Sequence, residues 1–402
     1  MSSMRVKYFT QPLFTMLKSK GLLPSISQTE KTALRAGDVW IEAQLFSGKA
    51  DFTKIFSYPY PTLSKDEEEF LNKEVEEVCN LTNDWDVFKQ RDLPQNVWDY
   101  LKEKKFFGMI IPKEYGGLGF SAYGHSCVIE KLVTNSQVLA ITVMVPNSLG
   151  PAELLLRYGE QKVIPRLADA RDIPCFALTE PEVGSDAASL RSYGEIFKDT
   201  DGSFKIKLQF DKRYIKFASI ATVIGLAFEL KDPENLLNMG TDLGITCALV
   251  DANKSGIDQS KRHDPLNVPF VNSPLIGKDV VIEIDDIIGG KNGIGQGWMM
   301  LMESLAIGRG ISLPSTSTGG SKLVTFVAST YSNIRYQFGL SIGKFEGISE
   351  VIGRMVADTY LLDAAKTFTL GAIDSGAKPA VANAIMKSQS TEKFRKNLYQ
   401  FL

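Results

Sequence analysis

Phe204-Lys205-Ile206-Lys207-Leu208-Gln209-Phe210 places apolar side chains at alternate positions, with polar ones between them. Successive side chains of a strand point to opposite faces, so this stretch reads as a strand with one buried and one wet face. Short strand-like runs follow at 214–217, 222–228, 245–250 and 280–284, with Gly, Asp, Asn and Pro turns between. No helix-length segment separates these runs, which predicts an antiparallel, barrel-like domain over 173–290 rather than a doubly wound sheet.

On both sides the period changes to that of a helix. Upstream, Ser64 precedes Asp66, Glu67, Glu68 and Glu69, a capping serine followed by an acidic first turn. Phe70, Leu71, Val75 and Val78 continue it as an apolar stripe. Pro94 opens a second helix, and the apolar run 123–144 reads as one interior helix. Downstream, 298–331, 344–373 and a segment opened by Pro379 read as three long helices. The expected organisation is an N-terminal arm (1–63), a helical domain (64–172), the sheet domain (173–290) and a helical bundle (291–402).

Composition narrows the function. The 402 residues carry 45 basic and 47 acidic side chains, a net charge of -2 that excludes a strongly basic nucleic-acid binder. Four cysteines without a local CxxC pair and only two histidines argue against a disulfide framework, zinc or another metal. They suit a reducing, cytoplasmic compartment. Residues 1–20 hold Arg5, Lys7, Lys18 and Lys20 and no acid. Their apolar residues form no signal core and no membrane span. The expected arm is loosely ordered with its aromatics packed on the main body; the alternative is peripheral contact with an anionic membrane on the cytoplasmic side.

The string Phe176-Ala177-Leu178-Thr179-Glu180-Pro181-Glu182-Val183-Gly184-Ser185-Asp186 is the strongest chemical signal. A strand delivers Thr179, Pro181 ends ladder pairing, and Gly184 and Ser185 can bring backbone N–H groups close to an anion. An ordinary strand-end turn fits the spacing equally, and neither a GxGxxG nor a GxxxxGK[ST] loop is present.

Here the chain resembles the acyl-CoA dehydrogenase family, within it the long-chain bacterial fatty-acid β-oxidation type. The resemblance rests on Ile26–Glu30, Ala36–Trp40, Leu45–Lys49, Ile111–Gly117, Val145–Pro151, the Leu178–Asp186 string, His263–Phe270 and Gly308–Pro314. It implies an α+β fold of N-terminal helical domain, central β-barrel domain and C-terminal bundle, incomplete here. It also implies a homo-oligomer with FAD held between domains and subunits. The implied reaction is α,β-dehydrogenation of a fatty acyl-CoA, with electron-transfer flavoprotein as the acceptor. Carried over by position, Phe176, Leu178, Thr179 and Tyr214 border the isoalloxazine. Gly184 and Ser185 approach the flavin phosphates, with Ser185 also near the CoA chain. Arg335 and Phe338 reach a neighbouring subunit's FAD, and Arg309 lies near the substrate cavity.

Two departures stand out. Lys216 occupies the position of the family's threonine at flavin N5, on the same strand face as Tyr214. That leaves the lysine either to snorkel outward or to sit beside the flavin. The glutamate base of this branch belongs to a segment absent from these residues, and the base position of other relatives is Gly308. The catalytic residue is therefore unassigned, and one seam of the bundle is expected to stay open along Ile348, Ile352, Met355 and Leu362. A non-catalytic flavin or acyl-CoA binder is the alternative reading.

Overall fold

The computed structural model describes residues 2–23, 26–35, 39–148, 150–159 and 161–402. Of the stretches quoted above, Ala36, Gly37, Asp38 and Leu149 lie outside them. So do the side chains of Gln28, Glu30 and Arg309.

The first helical region begins with the expected cap. The Glu67 backbone N–H donates to Ser64 Oγ (3.4 Å), and the Ser64 N–H donates to Glu67 Oε2 (2.7 Å). The other Glu67 oxygen accepts from the Ser121 N–H and hydroxyl, both at 2.7 Å. Ser121 in turn caps helix Ala122–Asn135. Gly124 is required there, because a Cβ would fall 2.2 Å from Glu67 Oε1. The run read as one interior helix is two: Ala122–Asn135, then Gln137–Met144, broken at Ser136, whose hydroxyl accepts from the Leu139 N–H (3.4 Å). Ser136 is extended (φ −148°), and its hydroxyl offers the backbone a capping bond that a continuous helix would not use.

The sheet follows: β1 (Pro174–Ala177), β2 (Tyr193–Lys198), β3 (Phe204–Lys216), β4 (Val223–Lys231), β5 (Asp242–Asp251), β6 (Ile257–Asp258) and β7 (Asn272–Glu283). Their order is β1-β4-β2-β3-β7-β6, with β5 also on β4. The expected all-antiparallel arrangement is corrected here. β4 runs parallel to β1 and to β2, while β2–β3, β3–β7, β4–β5 and β6–β7 are antiparallel. Sequence periodicity reports which face is buried and says nothing of strand direction. The quoted stretch is the first half of β3, with Ile206, Leu208 and Phe210 buried. Gly225 lets the Phe176 ring lie across β4, since a Cβ there would sit 2.6 Å from it.

Beyond the sheet come three long helices, Gly297–Ile334, Glu346–Asp374 and Ala380–Phe401. The Ser126 and Ser315 hydroxyls, 2.7 Å apart, join helix Ala122–Asn135 to the first. The Asp374 carboxylate accepts from the N–H groups of Ala122 (2.7 Å) and Tyr123 (3.1 Å), binding the second to the same helix. Residues of the arm also pack on the second: Trp40, Tyr58 and Tyr60 surround Phe368, with ring centroids 5.0–6.3 Å from it.

The seam meets expectation in part. Ile348 is exposed and Ile352 half-buried, as expected of an open side, whereas Met355 and Leu362 are buried. The open apolar face also carries Val356, Tyr360 and Leu361, with Val381, Ile385 and Tyr399 exposed on the last helix. Leaving a few hundred Å² of apolar area wet forfeits several kcal/mol at roughly 25 cal/mol per Å². The purified chain should therefore self-associate through this face. Sedimentation should show an oligomer that Leu361→Glu with Ile385→Lys converts to monomer; an unchanged mass would place the interface elsewhere.

Candidate functional site

β1 and the end of β3 meet beside the C-terminus of helix Gln137–Met144. Together Val145, Phe176, Leu178, Thr179, Tyr214, Ile215 and Lys216 enclose a cavity of about 190 Å³. The backbone is tied across it: the Arg213 N–H donates to the Thr179 carbonyl (3.0 Å), and the Thr179 hydroxyl donates to the Arg213 carbonyl (2.7 Å). The hydroxyl proton is thus committed, and its oxygen keeps capacity to accept a further bond.

Strand parity does not govern the end of β3. The register with β7 shifts between Lys212 and Ile215, and Tyr214 adopts a left-handed backbone (φ 59°). Such a bulge re-aims side chains, so three consecutive residues, Tyr214, Ile215 and Lys216, border one cavity. Tyr214 is half exposed, with its ring 4.8 Å from the His263 ring and under the Arg213 guanidinium (4.7 Å). Burial, with the Arg213 charge, lowers the His263 pKa.

Lys216 lines the cavity and is half-buried. Its ammonium has no hydrogen-bond or carboxylate partner among the described residues, and burial lowers its pKa from the ordinary lysine value. Val145, Phe176, Leu178 and Ile215 make the rest of the wall apolar. The apolar walls suit a flat aromatic ring such as the flavin, and Lys216 adds bulk and positive charge beside it.

A group missed in the sequence holds this wall in place. Lys212, fully buried, donates from Nζ to Glu180 Oε1 (2.7 Å), the Leu178 carbonyl (3.1 Å) and the Ala227 carbonyl (2.8 Å). Glu180 also accepts from the N–H groups of Arg191 (2.8 Å) and Ser192 (3.1 Å). Burial alone would raise the Glu180 carboxyl, but Lys212 and these donors hold it below its ordinary value. The available signal was a lysine on the buried parity of Leu208 and Phe210.

The other expected residues stand apart from the cavity. Gly184 and Ser185 lie exposed on the loop after the Glu180–Val183 turn, with open space around Gly184. Arg335 ends the first bundle helix and is exposed. Phe338 tips the Tyr336–Gln337/Leu340–Ser341 hairpin, 91% exposed, with only an edge contact to Phe345 (6.1 Å). Gly308 and Arg309 fall on the first bundle helix. Among the described residues no carboxylate lines the cavity.

A helical domain, a mixed sheet and a helical bundle together make the acyl-CoA dehydrogenase fold. Profiles of the acyl-CoA dehydrogenase N-terminal domain and middle domain match residues 63–170 and 175–280. The chain belongs to the acyl-CoA dehydrogenase family, FAD-dependent oxidoreductases acting on CH–CH groups.

Over 96 residues it is 55% identical to a protein named HemX of Proteus mirabilis, covering 24% of this chain and 56% of that one. It is 29% identical to the 3-(aryl)acrylate reductase of Clostridium sporogenes over 80% of this chain and 81% of that protein. With the human mitochondrial very long-chain specific acyl-CoA dehydrogenase it shares 25% identity over 88% of this chain and 54% of that one. The chain thus spans about half the length of the human relative. The solved acyl-CoA dehydrogenase of Geobacillus kaustophilus superposes with a TM-score of 0.76 at 18% identity, over 85% of this chain and 88% of that chain, a likeness of fold.

Proposed function

We propose that this chain forms the flavin wall and acyl cavity of an enzyme for α,β-dehydrogenation of fatty acyl-CoA thioesters. The cavity between β1 and β3 carries the reading: apolar walls, with Thr179 and Tyr214 at its margin. Phe176, Leu178 and Tyr214 would flank the FAD ring, which supplies the hydride acceptor for the β-carbon when bound. Gly184 and Ser185 would meet its phosphates. Arg335 and Phe338, exposed here, would complete a neighbouring subunit's site. The thioester substrate would approach Arg309, and electron-transfer flavoprotein would reoxidise the enzyme.

Within this cavity the residues position and exclude water, and among the described residues no carboxylate lines it to receive the α-proton. That observation favours a second reading for residues 1–402 alone, a flavin and acyl-CoA binder that does not turn over. The test is anaerobic addition of palmitoyl-CoA to the purified yellow protein. A perturbed flavin spectrum without bleaching is expected. Rapid stoichiometric bleaching would reveal a base within the chain, and a colourless protein would overturn the flavin assignment.

Arg335 provides a second check. A cation paired with a diphosphate contributes a charge-assisted bond worth about 1.5–3 kcal/mol. Arg335→Ala should therefore weaken FAD retention roughly tenfold or more, read by flavin absorbance after gel filtration. Equal flavin content and affinity would remove Arg335 from the site.

A further inference from the structure

The first twenty residues form a feature that neither the cavity nor the family assignment uses. Helical geometry runs through Ser2–Arg5, Val6–Thr10 and Gln11–Ser19, and none of the described residues in the last two segments is buried. The expected packing of its aromatics on the main body is not found: Tyr8, Phe9, Leu13 and Phe14 are each more than half exposed, at 61, 74, 53 and 56%. Val6, Phe9, Leu13, Met16 and Leu17 follow helical spacing and make one apolar stripe. Lys7, Gln11, Thr15 and Lys18 follow the opposite face, which Phe14 shares; Arg5 borders the stripe, and Lys20 follows the end of the helix. Further on, the Thr29 carbonyl accepts from Trp298 Nε1 (3.2 Å) and ties the chain to the first bundle helix.

We propose that this helix lies on an anionic lipid surface, its stripe sunk among the acyl chains and its cations against the phosphates. The charge pattern selects that occupant. Four cations and no acid would repel a second copy of the same helix, whereas a phosphate-bearing surface compensates all four. Geometry agrees: no described helix is long and apolar enough to cross a membrane, while an amphipathic one rests in the interfacial plane. The long tyrosine and lysine side chains reach the headgroup level while the stripe stays immersed. This assignment is independent of the flavin site and of turnover.

Flotation of the full chain with vesicles tests it. Binding to phosphatidylglycerol vesicles at 50 mM salt should exceed binding to phosphatidylcholine vesicles by about tenfold, and should fall at 500 mM salt. Phe9→Glu with Leu13→Glu should reduce binding by at least about tenfold. Because neither side chain is buried, thermal midpoint and circular dichroism should not change. Lys7→Glu with Lys18→Glu should remove the anionic preference while leaving the apolar stripe whole. Failure of the wild-type chain to float with phosphatidylglycerol overturns the proposal, as does equal flotation by the Phe9/Leu13 variant. Lipid-free self-association that the Phe9/Leu13 variant abolishes would assign the stripe to a second copy and overturn it equally.

Discussion

Lys216→Thr should give a protein that is more stable, binds FAD more tightly and holds it at a lower reduction potential. Three physical effects combine. The ammonium is part-buried without a partner, and an unsatisfied buried polar group costs about 1–3 kcal/mol, more when charged. Its volume is also withdrawn from a cavity of only about 190 Å³. Finally, a positive charge near the ring favours the anionic reduced form. At an effective dielectric of 20 such a pair is worth a few kcal/mol, which for a two-electron couple is on the order of tens of millivolts.

The pH dependence has a definite sign. Burial lowers the folded-state pKa of Lys216 from 10.5, so below that value the unfolded chain binds the extra proton more readily. Stability is therefore lost as pH falls from about 10.5 through the folded value, and the threonine variant should lack that loss. Urea titrations at pH 7 and 10, with a spectroelectrochemical potential, measure both effects. An unchanged potential together with unchanged affinity would place the side chain outside the ring's reach.

Lys212→Met should produce the largest stability loss of any single substitution in the sheet, about 3–5 kcal/mol, because it strands a buried carboxylate. Glu180 would keep only the Arg191 and Ser192 N–H donors, and the Leu178 and Ala227 carbonyls would lose theirs. Without the ammonium, burial raises the Glu180 carboxyl instead of leaving it below 4.5. The folded variant then gains a proton as pH falls, so its deficit relative to wild type should shrink between pH 8 and pH 5. Glu180→Gln added to Lys212→Met should recover part of the loss. FAD affinity should fall as well, since Leu178 and Thr179 follow β1 directly. A destabilisation under 1 kcal/mol would show that the pair is not dry.

Much of this architecture was readable from period alone. The alternation at 204–210, the stripes at 298–331 and 344–373 and the Ser64 cap each follow from side-chain geometry within a few turns or strand repeats. Strand direction was not readable, because β1 and β4 show the same burial whichever way they run. The Ser136 break was hidden inside an apolar run that either one helix or two would bury. The cavity was legible only through the family resemblance: Phe176, Leu178, Thr179, Tyr214 and Lys216 do meet, but the intervening chain, 180–213, conceals it. Lys212 was the informative omission. Its inward register followed from the same alternation that identified β3, and a buried lysine demands a carboxylate, which Glu180 provides.

β4 accepts β1 along its first half and β2 along its second, both on one edge, with β5 on the other. β1 has no hairpin neighbour to zip against; its register with 223–226 closes across nearly fifty residues, reinforced by the Thr222 N–H donating to the Ile173 carbonyl (2.9 Å). Closing a loop of that length must be paid in chain entropy before any contact rewards it, whereas the β2–β3 and β4–β5 hairpins form locally. Folding should thus lay down the hairpins first and dock β1 last. The β1 side of the cavity then becomes the latest part of the sheet to assemble and the earliest to detach, and the β1 amides should exchange with solvent ahead of those in β3 and β5.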